Sequence, residues 1–422
     1  MSFRKILFWI HLIVGCVVGL VVLMMSFTGV LLTYEQQIID WAERGYHSAP
    51  PSPDAPRMPV AGLVAAASTG AEPPSTLTLE ADPTAPVALG WGRAKTVYVN
   101  PYTGAALGEG DAGVRSFFRS VTSWHRWFAV EGEGREFWKG VTGASNLGFF
   151  FLVLSGMYLW LPKKWTPQSV RAIAWFRGGL SGKARDFNWH NVFGIWMAIP
   201  LALVVGTAAF FSYQWPSRLL YQALDGEAPP QRGGPPGRGG GPPGRGEGGP
   251  RAEGGGPRGE RGERGGERGG PGGERRGRGP GGGEHAAEPV DPAVFAGLDD
   301  LLARVEQDNP GWRTIALSTP HSTAEPVGFT VSSGGRGRPD LRVELKLNRE
   351  SGETVEKRGF AEQSAGRRWR TWVRWIHTGE VGGFWGQTIA GLASLAGVML
   401  VWTGLMLSWR RFVAWRGRRA RA

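Results

Sequence analysis

The 422-residue sequence predicts a mainly α integral membrane protein: a four-helix transmembrane bundle carrying two small extracytoplasmic α+β modules, arranged as a parallel internal duplication. Three observations predict it. Four windows, 6–32, 147–161, 192–211 and 384–407, are long and apolar enough for a bilayer crossing, which takes about 20 residues at about 1.5 Å rise each. Two long polar segments with strand-like alternation separate these windows. The two halves of the chain then repeat the same landmarks in the same order.

Residues 1–34 form the first predicted helix. Its beginning resembles a secretory signal, and Ile13-Val14-Gly15-Cys16 looks like a lipoprotein cleavage box, but the apolar run continues to Leu32 and no A-x-A-like site follows. It is therefore expected to be retained. Residues 35–140 form the first outer module, and 141–163 the second helix, whose short apolar run is extended by the small residues of 141–146. A cytoplasmic loop (164–189) and the third helix (190–214) follow. The second outer segment, 215–383, contains a stretch at 226–288 built almost wholly of Gly, Pro, Arg and Glu, a composition that buries no apolar surface and predicts a disordered linker. The fourth helix (384–411) and a basic tail (412–422) complete the chain.

Lys and Arg in short loops set the orientation. Arg4 and Lys5 precede the first helix, Lys163 and Lys164 follow the second, and Arg410, Arg411, Arg416, Arg418, Arg419 and Arg421 follow the fourth. Both termini are thus expected in the cytoplasm of a multi-pass protein of a bacterial inner membrane, with the two long segments in the periplasm. Trp and Tyr at the span ends, among them Tyr34, Trp41, Trp160, Trp165, Trp189, Tyr213, Trp215 and Trp409, form an interfacial belt against membrane lipid. The net charge of +12 follows in large part from these cytoplasmic flanks, so it calls for no nucleic-acid partner. The single cysteine, Cys16, excludes an intrachain disulfide, a CxxC zinc site and a thiolate iron–sulfur cluster.

The repeat locates the chemistry. The first helix carries His11, then Gly15, then Thr28-Gly29; the third carries His190, Gly194 and Gly206-Thr207 at matching depth. Each outer segment contains two strand-like runs and a turn, Asn100-Pro101-Tyr102-Thr103-Gly104 in one and Asn348-Arg349-Glu350-Ser351-Gly352 in the other. An aromatic, basic helix follows each turn and ends near a histidine, His125 or His377. The second and fourth helices end alike, from Ser155 in SGMYLWL and from Thr403 in TGLMLSW. Both halves run in the same direction, so the repeat is parallel.

Four of the seven histidines therefore mark equivalent positions. A histidine at membrane depth is a functional candidate, set against the plainer role of capping a helix or anchoring at the interface. Two at each face suit axial ligation of haem iron, His11 with His190 toward the cytoplasm and His125 with His377 toward the outside. Arg126 and Arg374, beside the outer pair, are candidates for the haem propionates, with Arg119, Arg368 and Arg370 as others. Gly15, Gly19, Gly194, Gly379, Gly382, Gly383 and Gly386 offer clearance for a flat macrocycle and, after His377, a bend toward the membrane. A bare zinc site more often wants a third ligand; acidic residues are scarce near the inner pair, while Glu131, Glu133 and Glu380 keep a metal site open at the outer one. His285, inside the linker stretch, is given no role.

Five motifs carry a family resemblance: His11 to Gly15 with Thr28-Gly29-Val30-Leu31-Leu32, Val99-Asn100-Pro101-Tyr102-Thr103-Gly104, Trp124-His125-Arg126-Trp127, Trp189-His190-Asn191 with Gly194, and Ile376-His377-Thr378-Gly379. With them the chain resembles the PepSY-associated transmembrane family, the iron-regulated inner-membrane proteins that include periplasmic ferric-siderophore reductases. The resemblance implies two periplasmic PepSY-like modules, one or two b-type haems on the helix histidines, and delivery of electrons to iron held by a siderophore or other chelate. Nothing like a flavodoxin or nicotinamide-binding domain is visible in the sequence, so a cytoplasmic reductase or membrane quinol is the expected donor. The long linker departs from the family pattern. Two other classes stay open at this point: a non-redox PepSY module that binds or regulates a peptidase or partner protein, and a metal or haem transporter. The sequence does not fix the oligomeric state.

Overall fold

A computed structural model describes residues 2–67, 73–92, 95–162, 164–228, 292–320 and 322–420. Most of the expected linker, His285, Lys163 and Arg421 lie outside the described residues. In chain order the helices are α1 (Phe3–Leu32), α2 (Glu35–Glu43) and α3 (Val60–Ala67), followed by strands β1 (Thr76–Glu80), β2 (Val87–Trp91), β3 (Lys95–Val99) and β4 (Ala106–Gly108). Next come α4 (Ala112–Trp127), α5 (Gly134–Trp160), α6 (Pro167–Ala174), α7 (Gly182–Ser212) and α8 (Trp215–Asp225). The last part holds α9 (Leu298–Asp308), β5 (Thr314–Ser318), β6 (Val327–Ser332), β7 (Arg342–Leu347), β8 (Thr354–Arg358), α10 (Ala365–Thr378) and α11 (Gly383–Arg419).

Among the described residues, four helical segments are long and apolar enough to cross a membrane, those containing α1, α5, α7 and α11. They pack as a ring. α1 lies against α5 and α11, and α7 lies against the same two, which sets α1 and α7 on opposite sides. Val22, Phe149, Val153, Leu201, Val205 and Ala393 fill the centre. Small residues bring the backbones close: a methyl added at Gly397 would stand 2.6 Å from Ser26 Oγ, and one at Gly148 would stand 3.0 Å from a Val18 methyl. The second helix starts at Gly134 rather than 141, the third at Gly182 rather than 190, and the fourth runs to Arg419 rather than 411. Hydropathy marks only the stretch that meets hydrocarbon, whereas helical hydrogen bonding continues past it.

The eight described strands form one antiparallel sheet in the order β4-β3-β2-β1-β5-β6-β7-β8. Each half supplies a four-stranded meander, where the sequence signalled two strands and a turn. Of the strands it did not signal, β1 and β5 pair with each other along their full length, with Leu77 opposite Leu317. Pairing satisfies two edges that would otherwise be open, so the two four-stranded segments are one sheet. Strand residues alternate between buried and partly exposed. The buried side packs with α3 and α9 through Leu63, Leu298, Leu301, Leu77, Leu89, Ile315, Leu317 and Phe329. The two turns match in detail. Asn100 Oδ1 accepts from the amides of Tyr102 and Thr103 at 2.8 and 3.1 Å, and Asn348 Oδ1 accepts from those of Glu350 and Ser351 at 2.9 and 3.0 Å.

α4 and α10 connect the sheet to the bundle. Asp111 caps α4 by accepting from the Val114 amide at 2.8 Å, and Phe118, Val121 and His125 then fall on one face by their spacing, the face that packs on α1. Ser364 caps α10, whose Val373 and His377 likewise turn toward α7. Each histidine therefore reaches the bundle as a member of a helix's packed stripe, and the bend expected after His377 falls at Gly379. Gly379, at φ 75°, ends α10, and a methyl there would lie 2.3 Å from the Gly386 carbonyl oxygen. Gly379 and Gly386 are thus required by the close backbone approach that turns α10 into α11.

Candidate functional site

The four matched histidines share one hydrogen-bonding plan. His11 Nδ1 lies 2.8 Å from Ser155 Oγ, His190 Nδ1 lies 2.9 Å from Thr403 Oγ1, and His125 Nδ1 lies 2.9 Å from Thr28 Oγ1. His377 Nδ1 lies 2.8 Å from the Val204 carbonyl oxygen and 3.3 Å from Thr207 Oγ1. The hydroxyls are themselves committed. Ser155 donates to Phe151 O at 2.7 Å, Thr403 to Met399 O at 2.6 Å, Thr28 to Met24 O at 2.7 Å and Thr207 to Leu203 O at 2.6 Å.

A hydroxyl has a single hydrogen to give, and each of these gives it to the carbonyl one turn back. Its oxygen can then only accept from the imidazole, so Nδ1 carries the proton. For His377 the backbone carbonyl, which has nothing to donate, imposes the same state. In a neutral imidazole with Nδ1 protonated, Nε2 holds a bare lone pair. Burial, reinforced by the neighbouring His377, pushes the His125 pKa down to about 4, which keeps that ring neutral.

The histidines also fall into two pairs. His125 and His377 are close enough for a charge on one to oppose a charge on the other, and so are His11 and His190. Members of each pair come from opposite sides of the ring, His11 on α1 and His190 on α7, His125 on the helix packed against α1 and His377 on the helix packed against α7. Each ring is only partly buried and keeps accessible surface. Glycines border three of them: methyls added at Gly156, Gly404 and Gly29 would stand 3.5, 3.4 and 3.6 Å from the Cε1 atoms of His11, His190 and His125. Among the described residues, no three His, Cys, Asp or Glu side chains gather to hold a bare metal ion. The donor sets are pairs of imidazoles.

Other sequence candidates fall differently. The Arg126 guanidinium lies over the Trp127 ring at 4.9 Å and that of Arg374 over Trp375 at 5.0 Å. Burial, together with the charges of Arg135 and Arg374, lowers the Arg126 pKa, so these three guanidiniums are neighbours. Arg370 instead turns to α7 and α8, with Nε 3.1 Å from Ser217 Oγ. Gly15 and Gly194 face Leu152 and Leu400 at 3.8 and 3.7 Å from an added methyl, and Gly19 faces Leu405 and Val401 at 3.4 and 3.6 Å. These three glycines serve helix contacts, and the clearance beside the rings comes from Gly156, Gly404 and Gly29. Ser155, Thr28, Thr207 and Thr403 stood out in the sequence only as repeat landmarks. Their spacing from the histidines, across different helices, holds no sign that they orient the rings. His47, outside this plan, lies exposed on Thr84 at 2.9 Å.

A family model described as a PepSY-associated TM region matches residues 8–411. No curated protein matches the chain.

Proposed function

Because the chain belongs to the PepSY-associated transmembrane family, we propose that it is a haem-b-containing electron-transfer protein of a bacterial inner membrane. In this reading it passes electrons from a cytoplasmic reductase or membrane quinol across the bilayer to a ferric, siderophore-type complex in the periplasm, and so acts as a ferric-chelate reductase in iron uptake. Both termini are cytoplasmic, and the two meanders are duplicated PepSY-like modules on the periplasmic side.

The observation that carries the proposal is the shared Nδ1 contact of all four histidines with a hydroxyl or carbonyl oxygen, from which a protonated Nδ1 and a free Nε2 lone pair follow on each ring. Metal-ligating histidines characteristically give their other ring hydrogen to such a partner, which fixes tautomer and ring orientation. Two imidazoles brought from opposite sides of the helix ring, with accessible surface, would suit an iron porphyrin, and the donor set offers a bare ion too few ligands. His11 and His190 would hold the inner haem, and His125 and His377 the outer. Haem supplies one-electron chemistry when bound.

The chain's own work is positional. Ser155, Thr28, Thr403 and the Val204 carbonyl aim the imidazoles, while Arg126 and Arg374 offer charge to the propionates near the outer pair. The packed centre of Phe149, Leu201 and Val205 keeps water from the space between the two levels. A reduced-minus-oxidised absorption spectrum of the purified protein, with haem measured per chain, tests the proposal. A b-type spectrum with two haems per chain is expected, and absence of haem after haem-replete expression overturns it. His377→Ala is expected to lower haem content while membrane insertion stays intact.

A further inference from the structure

We infer that Arg135 joins Arg126 and Arg374 in one anion site, built from both halves of the chain, that takes the two carboxylates of the outer porphyrin's edge. The inference rests on the haem reading above and adds a residue that the sequence did not single out.

Geometry gathers the three side chains beside the outer histidines. Arg126 follows His125 directly, and Arg374 stands one turn before His377 on α10. Arg135 comes back to the same place from the start of α5: its guanidinium lies 4.1 Å from the centre of the Trp127 ring, the ring that Arg126 covers at 4.9 Å. The connection that returns it is tight. Phe128 and Ala129, at φ 56° and 54°, are the only non-glycine residues with positive φ among the described residues, and such backbone strain persists where the surroundings enforce it. Thr142 of α5 holds the end of α4 by donating to the Arg126 carbonyl at 2.7 Å.

The charges are only partly compensated. Among the described residues no salt bridge joins any of the three guanidiniums to a carboxylate, Glu35 lies near enough to Arg374 for their charges to interact, and Glu136, next to Arg135, is taken by Lys139 at 3.2 Å. A cation in the first turn of a helix also opposes the helix dipole. Three neighbouring guanidiniums repel one another, and an anion between them removes the repulsion. A porphyrin edge brings two carboxylates on one rigid frame, which suits planar, forked donors.

The test compares two porphyrins that differ only in this charge. In the full chain carrying His11→Ala, which leaves the outer pair, affinity is measured by absorption titration for iron protoporphyrin IX and for its dimethyl ester. Arg135→Gln is expected to weaken binding of the free acid roughly tenfold and to leave binding of the ester unchanged, with Arg135→Lys recovering part of the loss. Equal weakening of both porphyrins would show a purely structural role, and no change in either would show no role; each result overturns the inference. Failure of the parent chain to bind either porphyrin would instead overturn the haem reading itself.

Discussion

Thr28 gives its hydroxyl hydrogen to the Met24 carbonyl at 2.7 Å and offers only its oxygen to His125 Nδ1, 2.9 Å away. One local helix bond thereby decides which nitrogen of a distant ring is basic. Thr28→Val keeps the shape of the side chain and removes that acceptor. On the proposed haem reading, haem affinity at the His125–His377 pair is expected to fall about 10- to 100-fold, as measured by haem retention during dilution. A Thr28→Ser variant, which restores the hydroxyl, is expected to recover most of it.

The two halves differ at the outer histidines, and the difference is testable. His377 bonds the Val204 carbonyl at 2.8 Å and touches Thr207 only at 3.3 Å, whereas His125 depends on Thr28 at 2.9 Å. On the proposed haem reading, Thr207→Val is therefore expected to disturb haem binding less than Thr28→Val does. The reduced absorption band and midpoint potential of each variant check the order.

Gly379→Ala is expected to destabilise the protein by more than the about 1–2 kcal/mol of left-handed backbone alone, because the new methyl would also lie 2.3 Å from the Gly386 carbonyl oxygen. Gly382 has open space around it, so Gly382→Ala serves as the control. Thermal melting of the two purified variants should separate them clearly.

Leu77 and Leu317 face each other across the β1–β5 seam and are 0% and 1% exposed. Truncating either to Ala is expected to cost about 2–5 kcal/mol. Proteolysis should then cut within β1 or β5 before it reaches the helix bundle.

Asp225 secures the start of α10, accepting from the Gly366 amide at 2.9 Å and the Ser364 hydroxyl at 2.7 Å. The Gly366 bond first, and then the Ser364 bond, lower its pKa below the reference value of 3.8. A carboxylate with a lowered folded pKa contributes stability that is present above pH 3.8 and is lost as pH falls through the lower folded value. The melting difference between the parent and Asp225→Asn should hold at neutral pH and vanish in strong acid.

The helices were legible because hydrocarbon thickness imposes a long apolar run, and the histidines because they recur at matching places in two halves. Thr28, Thr207, Ser155 and Thr403 were visible as landmarks but not as partners, since a bond between α1 and α4, or between α7 and α11, leaves no periodicity in either helix. β1 and β5 were hidden for a different reason. They are five residues each, and their pairing is with each other, far apart in the chain. Arg135 escaped notice because only the left-handed turn at Phe128 and Ala129 carries it back over Trp127.

The β1–β5 seam has a consequence for how the chain is assembled. Three crossing helices and strands β1–β4 precede the 229–291 stretch, β5–β8 and the fourth crossing helix follow it, and every bond across the seam joins residues on either side of it. Covalent continuity there raises the effective concentration of one part near the other. Two separately synthesised fragments, 1–228 and 292–422, carry complementary surfaces and should reconstitute a functional protein when made in the same membrane, while either fragment alone presents an unpaired strand and is a target for degradation.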